Sequence, residues 1–493
     1  MDTEKLLKVA LQIGTALSAE KDYNKLFNLI INKSMEITAC DAGTLYVVNG
    51  DVLEFKIMKT LSQGVDKGSN GEKIELPPVP MKESNICAYS AIHKAPLNIP
   101  DVYESDLFDF SGPKRYDAMT GYHTGSMVAI PLVDNDDRTV GVLQLLNALN
   151  EKGEIIPFDK SLEEVIFSLA SQTAVAVTNM RYQEELKDQM WSFTEAMAAA
   201  IDERTPYNAS HTRKVADYCG RLADYINELH DKGETEDFFT PNRKEQLVMG
   251  ALLHDIGKLV IPLSVMNKAT RLAGHEKELE SRLGSLKLKL KIRFLEGKMD
   301  EATYEAEAKK VDEALAVAFE ANGVGFINDE LNARLTKSLN DTVETDDGVE
   351  SLFTEEEKKC MSIIKGTLTA EERGIMESHV VITKKILDKV HFNSYFKNSP
   401  KWAAMHHELM NGRGYPNHLT AEDLPLDARI MTVADICDAL LATDRPYKKP
   451  IPKEKAFAIM YDMADKGDIE KRLVDYLKEC LDRIPAEAAP LSN

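Results

Sequence analysis

The sequence predicts two domains of different class: an α+β front domain, an antiparallel sheet flanked by helices, and an all-α rear domain, joined by a long helix. Three observations predict this. Two hairpin signatures fall in the front third of the chain, a helical periodicity takes over from Leu162, and helical spacing dominates the remainder of the chain.

Each element has a local reason. At 493 residues the chain exceeds one ordinary core, so more than one domain is expected. Leu6, Leu7, Val9, Ala10 and Ile13 begin a helical stripe, and Phe27, Ile30, Ile31 and Met35 continue one. Thr44–Val48 and Val52–Ile57 read as strands about Asn49-Gly50, a dipeptide that tolerates the positive φ of a tight hairpin. Ser126–Val133 and Thr139–Leu146 make a second hairpin across the polar turn Asp134-Asn135-Asp136-Asp137.

Leu162, Ile166, Leu169, Thr173, Ala176 and Met180 then alternate steps of four and three. After a one-residue slip, Leu186, Met190, Phe193 and Met197 resume the rhythm. Such spacing suits a helix that pairs with a copy of itself, so a homodimeric coiled coil is expected. Two amphipathic helices, each packed on its own domain, are the alternative. Further on, Leu279, Leu283, Leu286, Leu290 and Phe294 form one stripe, and Tyr304, Ala308, Val311, Leu315 and Ala318 a second after Gly297. They predict a helical hairpin. The acidic run 341–350 reads as a polar loop. The expected boundaries are 1–180 for the front domain, 181–200 for the connector and 201–493 for the rear domain, with a helical insertion at about 273–367.

Composition narrows the function classes. Hydrophobic residues at 43% and charged residues at 29% are those of a soluble globular protein, and no run of eighteen apolar residues suggests a membrane span. The start, MDTEKLLKVALQ, is charged early and has no small-residue cleavage site, unlike a signal peptide. Six scattered cysteines without a CxxC pair fit reduced thiols in the cytoplasm rather than a zinc–cysteine site. A net charge of −21 argues against a nucleic-acid polymer as partner. A small phosphodiester is still compatible, because a metal cluster reverses the field inside one cleft.

The rear half carries the chemistry. His211, His254, Asp255, His379, His406, His407 and Asp435 are candidate ligands, and imidazole with carboxylate suits first-row metals such as iron, manganese or zinc. His254-Asp255 interrupts an otherwise apolar helix, GALLHDIGKLVIP, where two polar groups and then Lys258 are costly without partners. A carboxylate there can bridge two ions, and ions so bridged lower the pKa of water for attack on phosphorus. His123, His230, His275 and His391 have no such setting and read as structural or surface residues.

HDIGK at 254–258, ESHV at 377–380, HHELMNGRGYP at 406–416 and ADICDALLATDRPYKKP at 434–450 occur in order. From His211 onward the chain resembles the HD-GYP family, metal-dependent hydrolases of bacterial cyclic di-GMP within the HD phosphohydrolases. The resemblance implies two divalent metal ions, iron or manganese. One would be held by His211, His254, Asp255 and Asp435, and the other by Asp255 as bridge with His379, His406 and His407. It implies Lys258 on a phosphate oxygen and, with Asp255, in the catalytic centre. Tyr415 would lie beside a guanine, Arg445 and Lys448 on the distal phosphate, with Arg413 and Asp438 also at the substrate. Departures from the family pattern are Tyr207 where some members have a metal-binding glutamate, Asn411 in place of an acidic residue, and a longer turn between Asp438 and Arg445.

MTGYHTGSMVAIPLV at 119–133, GVLQLLNAL at 141–149 and LASQTAVAVTNM at 169–180 make the front domain resemble the GAF family. Such domains often take cyclic nucleotides or other small molecules, and Lys114, Tyr116 and Asp117 stand where nucleotide-binding relatives carry a lysine and an aspartate. The function so implied is hydrolysis of cyclic di-GMP to linear pGpG and then GMP, regulated by the front domain. A catalytically weak cyclic-dinucleotide receptor acting through protein contacts, and a hydrolase preferring cyclic GMP-AMP, stay open as alternatives.

Overall fold

The computed structural model describes residues 23–160, 163–204, 210–392, 394–442 and 451–483. Contacts divide the chain into two compact units, Met1–Gln189 and Met190–Asn493. Among the described residues, no helix is long and apolar enough to cross a membrane.

The first unit opens with α1 (Tyr23–Thr38) and is built on an antiparallel sheet. Its strands are β1 (Cys40–Asn49), β2 (Val52–Thr60), β3 (Val65–Lys67), β5 (Leu97–Ile99), β6 (Met127–Val133) and β7 (Thr139–Leu149). They run in the order β3-β2-β1-β7-β6-β5, with short β4 (Val79–Pro80) on β2 and β8 (Ile155–Ile156) on β7. Both sequence hairpins appear, β1–β2 and β6–β7. Each face of the sheet is covered. Leu26, Phe27, Ile30 and Ile31 of α1 pack with Leu45, Leu143 and Leu145 on one side. Tyr46, Leu53, Phe110 and Met127 fill the other beneath α2 (Ile86–His93). Two-sided burial is why the central strands read as near-continuous apolar runs instead of alternating.

The connector is one unbroken helix of 40 residues, α4 (Glu163–Asp202), which follows α3 (Ser111–Thr120) in chain order. Ile166, Leu169, Thr173, Ala176 and Met180 are buried, the apolar ones in the front core. That stripe, expected at a partner's surface, is therefore already used; Leu162 lies outside the described residues. Met190 and Met197 pack with Ile201 and Leu253 in the second unit. Among the described residues, the large apolar side chains that α4 leaves exposed are Phe167, Val175 (41%), Tyr182 (44%), Leu186 (53%) and Phe193 (44%).

The second unit is helical. α5 (His211–Asp231), α6 (Pro241–Leu253), α14 (Leu426–Leu441), α15 (Lys453–Asp465) and α16 (Lys471–Asp482) enclose Val215, Leu222, Leu247, Met431, Leu473 and Leu477. Short α7 (Leu263–Met266) leads into the insertion, where α8 (Glu276–Leu295) and α9 (Glu301–Asn322) form the expected pair, followed by α10 (Asp329–Asn340). The insertion has its own core of Leu279, Leu283, Leu290, Val311, Ala318 and Leu335. Its entry and exit meet, because Thr367 Oγ1 donates to Lys268 O at 2.8 Å. Just inside, the buried Arg271 donates to the carbonyls of Ala321 and Val324 at 2.6 Å and of Ile363 at 2.8 Å.

The acidic run is not a loop. It forms the hairpin β9 (Thr342–Thr345) and β10 (Gly348–Ser351), so the insertion is not purely helical. Val343 is buried, and Lys289 and Lys298 neutralise Asp347, Glu350 and Asp346 at 2.8 Å, which removes the repulsion on which the loop expectation rested. After α11 (Glu355–Met361) the chain re-enters the bundle through α12 (Ala370–Leu387) and α13 (Ser399–Ala403).

Candidate metal centre

The centre begins where α6 stops. Leu252, Leu253 and Ile256 anchor the chain in apolar packing, which leaves His254 and Asp255 between them buried and turned inward. A 3₁₀ turn, Ile256–Leu259, follows at once. A Cβ on Gly257 would lie 2.0 Å from His379 O, so only glycine lets α12 come this close. Thr383 of α12 fastens the contact: its hydroxyl donates to His254 O at 2.9 Å and accepts from Gly257 N at 3.0 Å. One turn earlier on the same helix stands His379.

Three imidazoles are oriented alike. Nδ1 of His254, His379 and His406 lies 2.6 Å from the carbonyls of Ala251, Met376 and Ala403 respectively. A carbonyl only accepts, so each Nδ1 carries the hydrogen and each Nε2 keeps its lone pair. These nitrogens converge, with His379 Nε2 only 3.4 Å from His406 Nε2. Burial pushes the imidazoles of His379 and His406 below the usual histidine range. Burial also lowers His407, to about 4. All three are neutral donors at pH 7.

Two groups of potential ligands result: His379, His406 and His407, and His211, His254 and Asp255, each with ligand atoms within 4.8 Å of one another. Asp255 faces both. Its Oδ1 lies 3.4 Å from His379 Nε2 and 3.8 Å from His406 Nε2, and its Oδ2 3.2 Å from His254 Nε2 and 3.5 Å from His211 Nε2. Asp435 also spans the groups, with Oδ1 3.2 Å from His211 Nε2 and Oδ2 3.6 Å from His407 Nδ1. Burial raises both carboxyls, but the imidazoles and the Lys258 ammonium around Asp255, and the hydrogen bond from His211 to Asp435, outweigh it. Both are held well below the usual range.

The residues fit metal ions. Nε2 of His254 and Oδ1 of Asp255 are buried without a hydrogen-bond partner among the described residues. A buried lone pair and a buried carboxylate oxygen left without partners are unfavourable unless a cation lies there. Imidazole with carboxylate is the donor set of first-row divalent ions.

The expected substrate residues divide. Lys258 Nζ reaches Asp255 Oδ2 at 2.5 Å. Tyr415 N donates to His407 O at 3.1 Å, and its ring centroid lies 4.9 Å from that of His407. Glu408 shapes this loop: buried, it accepts from Asn417 N at 2.7 Å and Leu419 N at 3.0 Å. Two of the expected substrate residues have partners within the protein. Asp438 is buried and takes the Nδ1 hydrogen of His211 at 2.6 Å. With Asp255 and Asp435 it also raises His211 well above the histidine range, outweighing burial. Arg413 is turned to Asp468 at 2.7 Å, an oxygen it shares with Asn411 Nδ2 at 2.7 Å. Tyr207, Arg445 and Lys448 lie outside the described residues.

In the front domain, Asp117 is committed to its own loop. It accepts from Tyr103 Oη at 2.9 Å and from Thr124 N and Oγ1 at 2.8 Å. Lys114 Nζ sits 5.2 Å over the Tyr103 ring. Tyr116 belongs to α3, and its side chain lies outside the described part of the structure. Sequence reading missed Thr383 and the contact of Asp438 with His211. The spacing of Asp435 and Asp438, three apart on one helix and so on one face, was the available signal.

Comparison with known proteins matches residues 22–177 to a GAF domain and residues 208–314 and 358–473 to HD domains. A 3'3'-cGAMP-specific phosphodiesterase 3 of Vibrio cholerae is 36% identical over 128 residues, 26% of this chain and 27% of that protein. The cyclic di-GMP phosphodiesterase response regulator RpfG of Xanthomonas campestris pv. campestris is 39% identical over 113 residues, 23% of this chain and 29% of that protein. The chain thus spans about a quarter of the length of these curated relatives. Among solved structures, the GAF domain of an Acinetobacter phosphoenolpyruvate-protein phosphotransferase covers 37% of this chain and 98% of its own, with 11% identity and a TM-score of 0.29. The chain joins a GAF domain to an HD domain.

Proposed function

We propose that this chain is a divalent-metal-dependent phosphodiesterase that hydrolyses cyclic di-GMP under the control of its GAF domain. The observation that carries the reading is Asp255, a buried carboxylate whose two oxygens face two separate imidazole groups. Relatives named as cyclic di-GMP and cyclic GMP-AMP phosphodiesterases support it. His211, His254, Asp255 and Asp435 would hold one ion, and Asp255, His379, His406 and His407 the other, iron or manganese. Bound there, a metal pair supplies an activated water and offsets phosphate charge.

The chain's own groups do the rest. Lys258 brings an ammonium to a non-bridging phosphate oxygen as charge grows in the transition state. Asp438 fixes the tautomer of His211 by holding its Nδ1 hydrogen. Tyr415 offers a ring face to a guanine, and Arg445 and Lys448 take the distal phosphate. Opening one 3′–5′ phosphodiester in line gives pGpG, and a second cleavage gives GMP. The GAF domain would take a small molecule or cyclic nucleotide. The cytoplasmic chain would pair with a second copy along α4, where Val175, Tyr182, Leu186 and Phe193 keep one exposed face at steps of seven, four and seven.

The test is anaerobic purification, metal analysis and turnover on cyclic di-GMP beside 3'3'-cyclic GMP-AMP. We expect about two ions per chain and release of pGpG, both lost in Asp255→Ala. Faster turnover of the hybrid dinucleotide would transfer the reading to that substrate. A metal-replete chain that cleaves neither, or an Asp255→Ala variant as active as the parent, would refute it.

A further inference from the structure

We propose that Arg204 is a positioning residue for Lys258, through which the last turn of α4 sets the geometry of the HD turn. The inference rests on the phosphodiesterase reading of the site. Arg204 stands two residues past the end of α4. Its Nη1 donates to Leu259 O, and its Nη2 donates to Ile261 O at 2.8 Å. These carbonyls lie on either side of Val260, directly after Lys258.

The turn needs such support. Ile256–Leu259 is a four-residue 3₁₀ segment, held by Lys258 N to Asp255 O at 2.9 Å, Val260 N to Gly257 O at 3.1 Å and Ile261 N to Lys258 O at 3.2 Å. Such turns have poor hydrogen-bond geometry, and a helix end leaves carbonyls without partners. Arg204 supplies the donors from outside. A planar guanidinium that bonds two carbonyls fixes rotation as well as distance, which one ammonium does not.

The lysine that depends on this turn is poised. Lys258 has a side chain 19% exposed and an ammonium 2.5 Å from Asp255 Oδ2. His254, by contrast, is held independently by Ala251 O. Displacing the end of α4 therefore moves Lys258 while leaving that ligand seated. A second tie runs beside the first: Thr212, next to His211, donates its hydroxyl to Asp202 in the last turn of α4 at 3.0 Å.

The experiment uses the full-length, metal-replete protein. Arg204→Met keeps the stem and removes the donors, and Arg204→Lys restores a single donor head. Misplacement of a catalytic group by about 1 Å costs up to about 100-fold. For Arg204→Met we expect kcat to fall by about 10-fold or more on cyclic di-GMP, with KM and metal content unchanged and partial recovery in Arg204→Lys. In a Lys258→Met background the same change should cost nothing further, the signature of two residues acting as one. Hydrogen exchange read by mass spectrometry needs no substrate: the peptide spanning 256–262 should exchange faster in Arg204→Met, while 215–226 does not. Unchanged exchange, loss of metal, or an equal kcat loss without Lys258 would overturn the proposal. Faster exchange in a protein whose parent hydrolyses no cyclic dinucleotide would uphold the strap and sink the phosphodiesterase reading instead.

Discussion

Thr383→Val isolates what holds the two halves of the metal centre together. Thr383 is fully buried, and its hydroxyl is the sole side-chain link from α12 to both His254 O, at 2.9 Å, and Gly257 N, at 3.0 Å, among the hydrogen bonds of the described residues. Valine has the same shape, so no cavity term enters. It replaces the hydroxyl with a methyl and strands one carbonyl and one amide. Each buried group left without a partner costs about 1–3 kcal/mol, so the pair should cost about 2–6 kcal/mol. Thr383→Ser keeps the hydroxyl, drops one methyl and should cost about 1 kcal/mol. The assay is convenient, since both tryptophans, Trp191 and Trp402, lie in the second unit and report its unfolding in urea. The midpoint should fall far more for valine than for serine at an unchanged slope. Valine within about 0.5 kcal/mol of the parent, or serine worse than valine, would refute the reasoning, because the hydroxyl would then carry nothing.

Asp438→Asn keeps an acceptor near His211 Nδ1 but removes the charge; affinity for the metal on that side should fall about 10- to 100-fold, read by competition with a chelator, and unchanged affinity would reject an orienting role. Excising about residues 273–366 behind a short linker should leave metal content intact, since the segment has its own core and its ends meet at Lys268 and Thr367. Loss of metal from a still-helical deletion would show that the insertion builds the site. Leu186→Glu should turn a dimer into a monomer by sedimentation, because Leu186 lies mid-way along the exposed face of α4. A parent that is already monomeric would end that idea.

Much of this was legible in the chain because local cost and local geometry point the same way. His254-Asp255 stands out where polar groups interrupt apolar helix, and the structure gives the interruption its reason: both side chains turn from the core toward the other candidate ligands. The two front hairpins arise from turn chemistry, which is local. The features that escaped depend on partners far away in sequence. Thr383 is an ordinary helical threonine until Gly257 is set beside it. Asp438 looks like a site carboxylate, yet only the fold shows that His211 is its partner. The acidic run read as a loop because its neutralising cations, Lys289 and Lys298, come from α8 and its end, about fifty residues earlier.

The connector shows the same limit in its clearest form. Periodicity says that a helix has an apolar face; it does not say what covers that face. The stripe from Ile166 to Met180 is covered by the front core, and Met190 and Met197 by the rear one. The one-residue slip between these stripes marks a change of packing partner. The residues left exposed keep one seam from Val175 to Phe193 with no slip. If a second copy pairs along it, as proposed, an unbroken heptad would favour a single register, and a helix so held would transmit displacement as a body. On that footing the sensitive point is not the middle of α4 but its end, where Asp202 and Arg204 meet Thr212 and the turn that carries Lys258.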